Sequence, residues 1–445
     1  MIFLLNNYLI PWTLSLLMVC IASLGVNLTD IDTTQPVNDI NSAQLSPLPK
    51  PSGDYSVGTV SYYFVDSNRE EIYTPDPNDR RELMVRVWYP SEKVSGGNFA
   101  PYLSKALIKA IALSWDTSTE DLSDSFTTTP THSIINAPIA QTKSNYPVLL
   151  FSHGFGILPE FNTINVEQLA SQGYVVVSIN HTYDSAASIF PNGRVITQSP
   201  VFYTDDKSKF MELLKQSVGV RAKDASFILD KLIDINTGKN PSGILTGKLD
   251  LDRVGMLGHS LGGATTVQTL LQDKRFKAGV HLDGGLFING INKSLSQPFM
   301  FMNSELLGTG NSLNPDFQEA IELQKTFFQH LQSDAYKVII NGTGHFYFND
   351  LPFILPELKN AKLPLPFTQF ENWVAADNSN PINPDRAIKI INDYTVAFFN
   401  KYLNHEKSSL LKIKPSSLTY PEVIFEFRKG EDVTSTHYPS SVTFR

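Results

Sequence analysis

The chain has 445 residues, 42% hydrophobic and 18% charged, with 28 Phe and 17 Tyr, which is the make-up of a globular protein with ample core material. A formal charge of −8 leaves no broad basic surface for neutralising phosphates and argues against nucleic acid as a partner. The single cysteine, Cys20, excludes a disulfide framework, a thiolate metal site and, if the leading segment is removed, a cysteine nucleophile.

From Leu9 to Val26 the chain carries no charge and is mainly Leu, Ile, Val, Met and Trp, which predicts an export signal or a membrane anchor in residues 1–26. Ser23 and Gly25 offer small residues for cleavage, although no Lys or Arg precedes the run. Residues 27–56, rich in Asp, Thr, Asn, Ser and Pro, read as a flexible polar linker. Val57 to Asp66 and Leu83 to Tyr89 then read as antiparallel opening strands, the second ended by Pro90.

Further along, strand-like segments occur at Pro147–Ser152, Tyr174–Asn180, Arg253–Leu257, Ala278–Leu282, Pro298–Met302 and Tyr336–Ile340. They alternate with stretches of helical periodicity such as Asn162–Ser171, Met211–Leu232 and Phe317–Leu331. Such alternation predicts an α/β fold with a mostly parallel central sheet flanked by helices on both faces, and no internal repeat interrupts it. Two apolar stretches, Tyr102–Trp115 and Leu351–Phe367, either cover the sheet or form a lid or lipid-interface patch.

Within that pattern, Gly258-His259-Ser260-Leu261-Gly262 is followed by Gly263 and then by the helical spacing of Ala264–Leu271. Strand, tight turn, helix is the setting a nucleophilic serine needs, because its hydroxyl must be held exposed where an imidazole takes its proton. Glycines suit the flanks, where the backbone doubles back beside the strand. The order of parts in an α/β-hydrolase is serine, acid, histidine. His345 follows a strand through Asn341-Gly342-Thr343-Gly344 and is the expected base. His330 lies in a helical pattern, while His405 and His437 lie in a polar tail. Two carboxylates end consecutive strands, Asp283 and Glu305. Asp283 is the expected acid because it is short and is followed at once by Gly284-Gly285, and Glu305 is the alternative with a structural hydrogen-bonding role.

The negative charge of a tetrahedral intermediate requires two backbone N–H donors. Leu261, next after the serine, supplies one, and Phe155 in Phe151-Ser152-His153-Gly154-Phe155-Gly156 supplies the other. His153, His181, His259 and His281 read as packed, supporting histidines. The domain carrying these parts spans residues 57–405, with 406–445 as a C-terminal extension.

The run from Gly258 to Gly285 resembles the secreted platelet-activating factor acetylhydrolases, or lipoprotein-associated phospholipases. So do Phe151–Gly156, Asn180-His181 through Ser188, Phe301–Glu305 and the Gly-x-x-His ending at His345. The resemblance implies Ser260 as nucleophile, Asp283 as acid, His345 as base, and Phe155 and Leu261 as oxyanion positions. It also implies calcium-independent hydrolysis of short or oxidised sn-2 acyl groups of phospholipids, with no cofactor or metal, by an exported protein. Gly284-Gly285 and Phe346-Tyr347-Phe348 depart from the animal members, which carry bulkier and more polar residues there, and both changes bear on the acyl pocket. The other readings are a general exported carboxylesterase or cutinase-like polyester hydrolase, and a non-catalytic hydrolase-fold binding module.

Overall fold

The structure, a computed structural model, describes residues 48–94, 96–114, 129–239, 243–288, 294–309, 315–358, 381–412 and 419–430. The apolar run Leu9–Val26 with Cys20, most of the expected linker, Trp115, residues 359–367 and His437 lie outside them. Among the described residues no helix is long and apolar enough to cross a membrane.

The strands in chain order are β1 (Ser56–Glu70), β2 (Arg80–Ser91), β3 (Phe99–Pro101), β4 (Pro130–Ile135), β5 (Tyr146–Ser152), β6 (Val175–Asn180), β7 (Ala187–Ile189), β8 (Val195–Thr197), β9 (Leu249–His259), β10 (Phe276–Leu282), β11 (Phe299–Ser304), β12 (Ala335–Ile340) and β13 (Val423–Arg428). The helices are α1 (Lys105–Ser114), α2 (Thr163–Ser171), α3 (Lys207–Asn236), α4 (Leu261–Gln272), α5 (Glu305–Thr309), α6 (Pro315–Gln329), α7 (Leu351–Leu358) and α8 (Pro384–Leu403).

Among the described residues, eleven strands form one sheet in the order β13-β12-β11-β10-β9-β5-β6-β2-β1-β4-β3, while β7 and β8 make a separate small hairpin. The run from β6 through β5, β9, β10 and β11 to β12 is parallel. This is the expected α/β-hydrolase architecture, with β1 and β2 antiparallel at the opening. The central strands β5, β6 and β11 are buried on both faces, as the continuous apolar runs require. Each face carries its own apolar cluster. One gathers Leu149, Phe151, Val338, Ile391 and Phe398, and the other Leu150, Met256, Val267, Ile228 and Phe299.

Several boundaries differ from expectation. Pro90 does not end β2, which runs on to Ser91. Pairing with β6 stops at Trp88, so the missing N–H of Pro90 costs no ladder bond on that side. The end of the expected linker is docked rather than free: Leu48 is buried, Ser52 N–H donates to Gln168 Oε1 at 2.8 Å and Tyr55 N–H to Ser171 O at 3.1 Å. Part of the expected C-terminal extension, β13, pairs antiparallel along β12 from Ala335 to Ile340. Helix α8 matches none of the expected elements. Asn383 caps it, Pro384 starts it, and Ile388, Ile391, Tyr394 and Phe398 form its buried stripe.

The two candidate lids turn apolar groups inward. In α1 the side chains of Leu107, Ile108 and Ile111 are buried, and Tyr102 just before it donates to Asp350 at 3.1 Å. Leu351 and Ile354 of α7 are buried likewise.

Candidate active site

The parallel strands all deliver their carboxyl ends to one rim, and the chemistry lies there. β9 ends at His259 and α4 begins at Leu261, so Ser260 alone makes the turn, with φ 57° and ψ −122°. That conformation is unfavourable for a residue with a side chain. It is held by Ser260 N–H donating to Leu282 O at 2.8 Å and Ser260 O accepting from Gly263 N–H at 2.9 Å. A Cβ on Gly262 would sit 1.9 Å from Ser152 O, and one on Gly258 would sit 2.3 Å from the Gly262 carbonyl group, so these two positions have no room for a side chain. Threonines prolong the turn into a helix: Thr265, Thr266 and Thr269 each return their hydroxyl to a backbone carbonyl four residues back, which hides their polarity inside the core.

β10 ends at Leu282, and Asp283 follows with φ 41°. Its N–H donates to Met302 O at 2.8 Å, and its Oδ1 accepts from Ser304 N–H at 2.6 Å. Oδ2 accepts from His345 Nδ1 at 2.7 Å. Burial alone would raise the pKa of this carboxyl, but the hydrogen bond and charge interaction with His345 and the Ser304 N–H hold it below the ordinary aspartate value. It is ionised at neutral pH.

His345 opens a 3₁₀ turn after the loop 341–344, and its Nε2 lies 3.0 Å from Ser260 Oγ. The imidazole is one-third exposed, whereas Asp283 is 1% exposed, so the ring reaches the surface of the rim while its partner does not. Glu305 is not in this line. Its Oε2 accepts from Gly342 N–H at 2.8 Å and its N–H donates to Thr343 O at 3.3 Å, which ties down the loop that carries His345. His259 braces the same residue from below, with Nε2 donating to His345 O at 3.1 Å and the two rings 4.6 Å apart. Burial, followed by the neighbouring His345, lowers the His259 pKa to about 3 and keeps it a neutral donor.

Leu261 is the first residue of α4, where backbone N–H groups lack helical partners and the helix dipole is positive. Phe155 sits between Gly154 and Gly156, with its ring against Phe202 at 5.0 Å and Phe210 at 5.7 Å. This loop touches the elbow: Ser152 pairs with Gly258, and a Cβ on Gly154 would lie 3.4 Å from His259 Nδ1. Two glycines expected to shape an acyl pocket have closer duties. A Cβ on Gly284 would meet Ser260 Cα and O at 2.9 Å, and one on Gly285 would meet Ala320 Cβ at 2.7 Å. Tyr347 and Phe348 are buried in the core, whereas the Phe346 ring lies 5.4 Å from that of His345.

A second serine, histidine and aspartate also align. Ser152 Oγ lies 2.9 Å from His181 Nε2, and His181 Nδ1 lies 2.8 Å from Asp224 Oδ2. All three are at most 1% exposed, and Asp224 also accepts from Arg81 at 2.7 Å and pairs with Arg69. None of the three is open to solvent, which is the setting of a structural network rather than of a reacting serine. Among its members His181 is an expected supporting residue, and Ser152 lies in the Phe151–Gly156 run without an expected role of its own. Asp224 carries no local motif that marks it.

A family model described as platelet-activating factor acetylhydrolase, isoform II, matches residues 40–412. A platelet-activating factor acetylhydrolase of Cavia porcellus is 26% identical over 391 residues, covering 81% of this chain and 79% of that protein. A probable 1-alkyl-2-acetylglycerophosphocholine esterase of Arthroderma benhamiae is 27% identical over 286 residues, covering 63% of this chain and 66% of that protein. Among solved structures, a ferulic acid esterase from Streptomyces cinnamoneus superposes with a TM-score of 0.67 at 28% identity, covering 85% of this chain and 98% of that one.

Proposed function

As a member of the platelet-activating factor acetylhydrolase family, this chain is a serine esterase acting on phospholipid esters, and we propose that it works through Ser260, His345 and Asp283 on short or oxidised sn-2 acyl groups. One observation carries the assignment of residues: the unbroken hydrogen-bonded line from Ser260 Oγ through His345 to Asp283, on a turn strained for the purpose. Asp283 accepts the Nδ1 proton of His345, which leaves the Nε2 lone pair facing the serine hydroxyl.

Ser260 Oγ attacks the ester carbonyl while its proton passes to His345 Nε2. The carbonyl oxygen takes up the charge and is met by the N–H groups of Phe155 and Leu261. The imidazolium returns the proton to the leaving sn-2 oxygen, and the acyl group stays on Ser260. Water, activated by His345, then releases the acid.

The preference for short chains is supported by the names of the matched relatives, and the likeness to a ferulic acid esterase favours a second reading, a general carboxylesterase. Hydrolysis of acetyl-glycerophosphocholine, long-chain phosphatidylcholine and p-nitrophenyl esters of increasing length separates them. The phospholipid reading expects efficient release of acetate from the acetyl lipid and its loss in Ser260→Ala. Turnover of the simple esters with none of the acetyl lipid would instead establish the carboxylesterase. The apolar run Leu9–Val26 supports export, and the size of the exported mature chain tests it.

A further inference from the structure

An oxyanion donor is useful only if it is aimed. In a trans peptide the carbonyl of one residue and the N–H of the next lie in one plane and point in opposite directions. Whatever fixes Gly154 O therefore fixes the direction of Phe155 N–H.

Gly154 O is fixed twice. His153 Nδ1 donates to it at 2.6 Å, and Arg221 Nη2 approaches it at 3.4 Å from α3. The tautomer is set from the other side of the ring, because His153 Nε2 accepts from His181 N–H at 3.3 Å and the proton must then sit on Nδ1. Burial first, then the charge of Arg221, keeps the His153 pKa well below the ordinary value, so the ring stays neutral and keeps both roles. Arg221 donates through Nη1 to His153 O as well, so its fork spans two successive carbonyls of the loop.

The guanidinium is itself held by Asp184, which accepts from Nε at 2.7 Å and also from Nη2. Asp184 O accepts from Gly156 N–H at 3.1 Å. Phe155 is thereby tied on both sides, at the carbonyl before it and at the N–H after it. His153, Asp184 and Arg221 are at most 1% exposed, so water cannot replace the bonds.

We propose that His153 and the Arg221–Asp184 pair are positioning residues for the reaction, aiming Phe155 N–H at the developing oxyanion. This rests on the reading of Phe155 as an oxyanion donor. A purely structural role for the same residues predicts lower stability with unchanged chemistry per folded molecule.

The test uses the full chain with His153→Gln, His153→Asn, Arg221→Lys and Ser260→Ala. Active sites are titrated with a fluorophosphonate so that rates refer to competent enzyme. An asparagine places its amide nitrogen near the position of Nδ1, whereas a glutamine does not. His153→Gln and Arg221→Lys are expected to lower kcat on p-nitrophenyl acetate by about 100-fold with KM within about twofold. They are also expected to weaken a trifluoromethyl ketone, which forms a tetrahedral oxyanion on the serine, in proportion to kcat/KM. His153→Asn should recover about tenfold or more of the loss in His153→Gln.

Equal rates in the glutamine and asparagine variants, a change confined to KM, or unchanged kcat with a lower melting temperature would overturn the proposal. If His153→Gln does not fold, Arg221→Lys is judged alone against the same thresholds. Turnover surviving in Ser260→Ala would overturn the reading of the nucleophile. A dead Ser260→Ala beside a His153→Gln of wild-type kcat would overturn only this inference.

Discussion

Replacing Asp283 with Asn tests the acid through the geometry of one carboxylate. Its two oxygens face two donors, Ser304 N–H at 2.6 Å and His345 Nδ1 at 2.7 Å. An asparagine must turn its only oxygen toward one of them. Ser304 N–H is a backbone donor that cannot become an acceptor, so the amide oxygen settles there and the NH₂ group faces His345. The imidazole must then accept at Nδ1 and carry its proton on Nε2, 3.0 Å from Ser260 Oγ, where it can no longer take the serine's proton. Loss of the correct tautomer with geometry intact costs about 10⁴-fold in kcat, equivalent to about 5.4 kcal/mol of barrier. The assay is kcat on p-nitrophenyl butyrate at neutral pH, with circular dichroism to verify the fold. A variant within about tenfold of wild type would refute the assignment. Glu305→Gln would then be the next acid to examine, although its contact with Gly342 N–H predicts a loosened loop instead of a lost base.

The buried trio makes a contrasting prediction. Ser152→Ala should keep kcat within about fivefold of wild type while losing about 1–2 kcal/mol of stability, because it removes a buried hydrogen bond to His181 and a long 3.5 Å contact from Arg221, whose stronger bonds to His153 O and Asp184 remain, and no reacting group. Denaturant unfolding and steady-state rates on one preparation decide this, and an inactive but folded Ser152→Ala would contradict it. His281 gives a pH signature. Its pKa falls to about 4 in the folded chain, mainly through burial, against about 6.5 when unfolded. Between these values the unfolded chain binds a proton that the folded chain refuses, so stability is full above pH 6.5 and declines as pH drops toward 4. The stability of His281→Asn relative to wild type should therefore improve by about 1.4 kcal/mol for each pH unit between 6.5 and 4, levelling off below 4 and staying constant above 6.5. A difference that does not vary with pH would remove the argument.

What could be read from the sequence was what local chemistry compels. Gly258 and Gly262 are legible because Ser152 O and the elbow's own backbone leave no room for a Cβ, and the loop 341–344 because a histidine delivered by a strand end needs a short turn. The expectation of Phe155 and Leu261 as oxyanion positions rests on chain order, Phe155 in the glycine-flanked loop after β5 and Leu261 next after Ser260. Long-range partnerships left no trace. Arg221 meets His153 O 68 residues away and Asp184 37 residues away, so no window of sequence contains the clamp. The strand β13 does alternate, as Val-Ile-Phe-Glu-Phe-Arg, yet its pairing with β12 is settled only when the intervening chain has returned to the sheet edge. Helix α8 has a readable start in Asn383-Pro384 and an apolar stripe, both ordinary helix signals. At Gly284 the constraint comes from the elbow itself, since a Cβ there would meet the Ser260 backbone at 2.9 Å.

The most direct measurement is the site of covalent capture. Reaction of the full chain with a fluorophosphonate, followed by proteolysis and mass spectrometry, should find one adduct, on Ser260, and none after Asp283→Asn under the same brief exposure. An adduct on Ser152 or another serine, or a folded protein that takes up no label, would contradict the account.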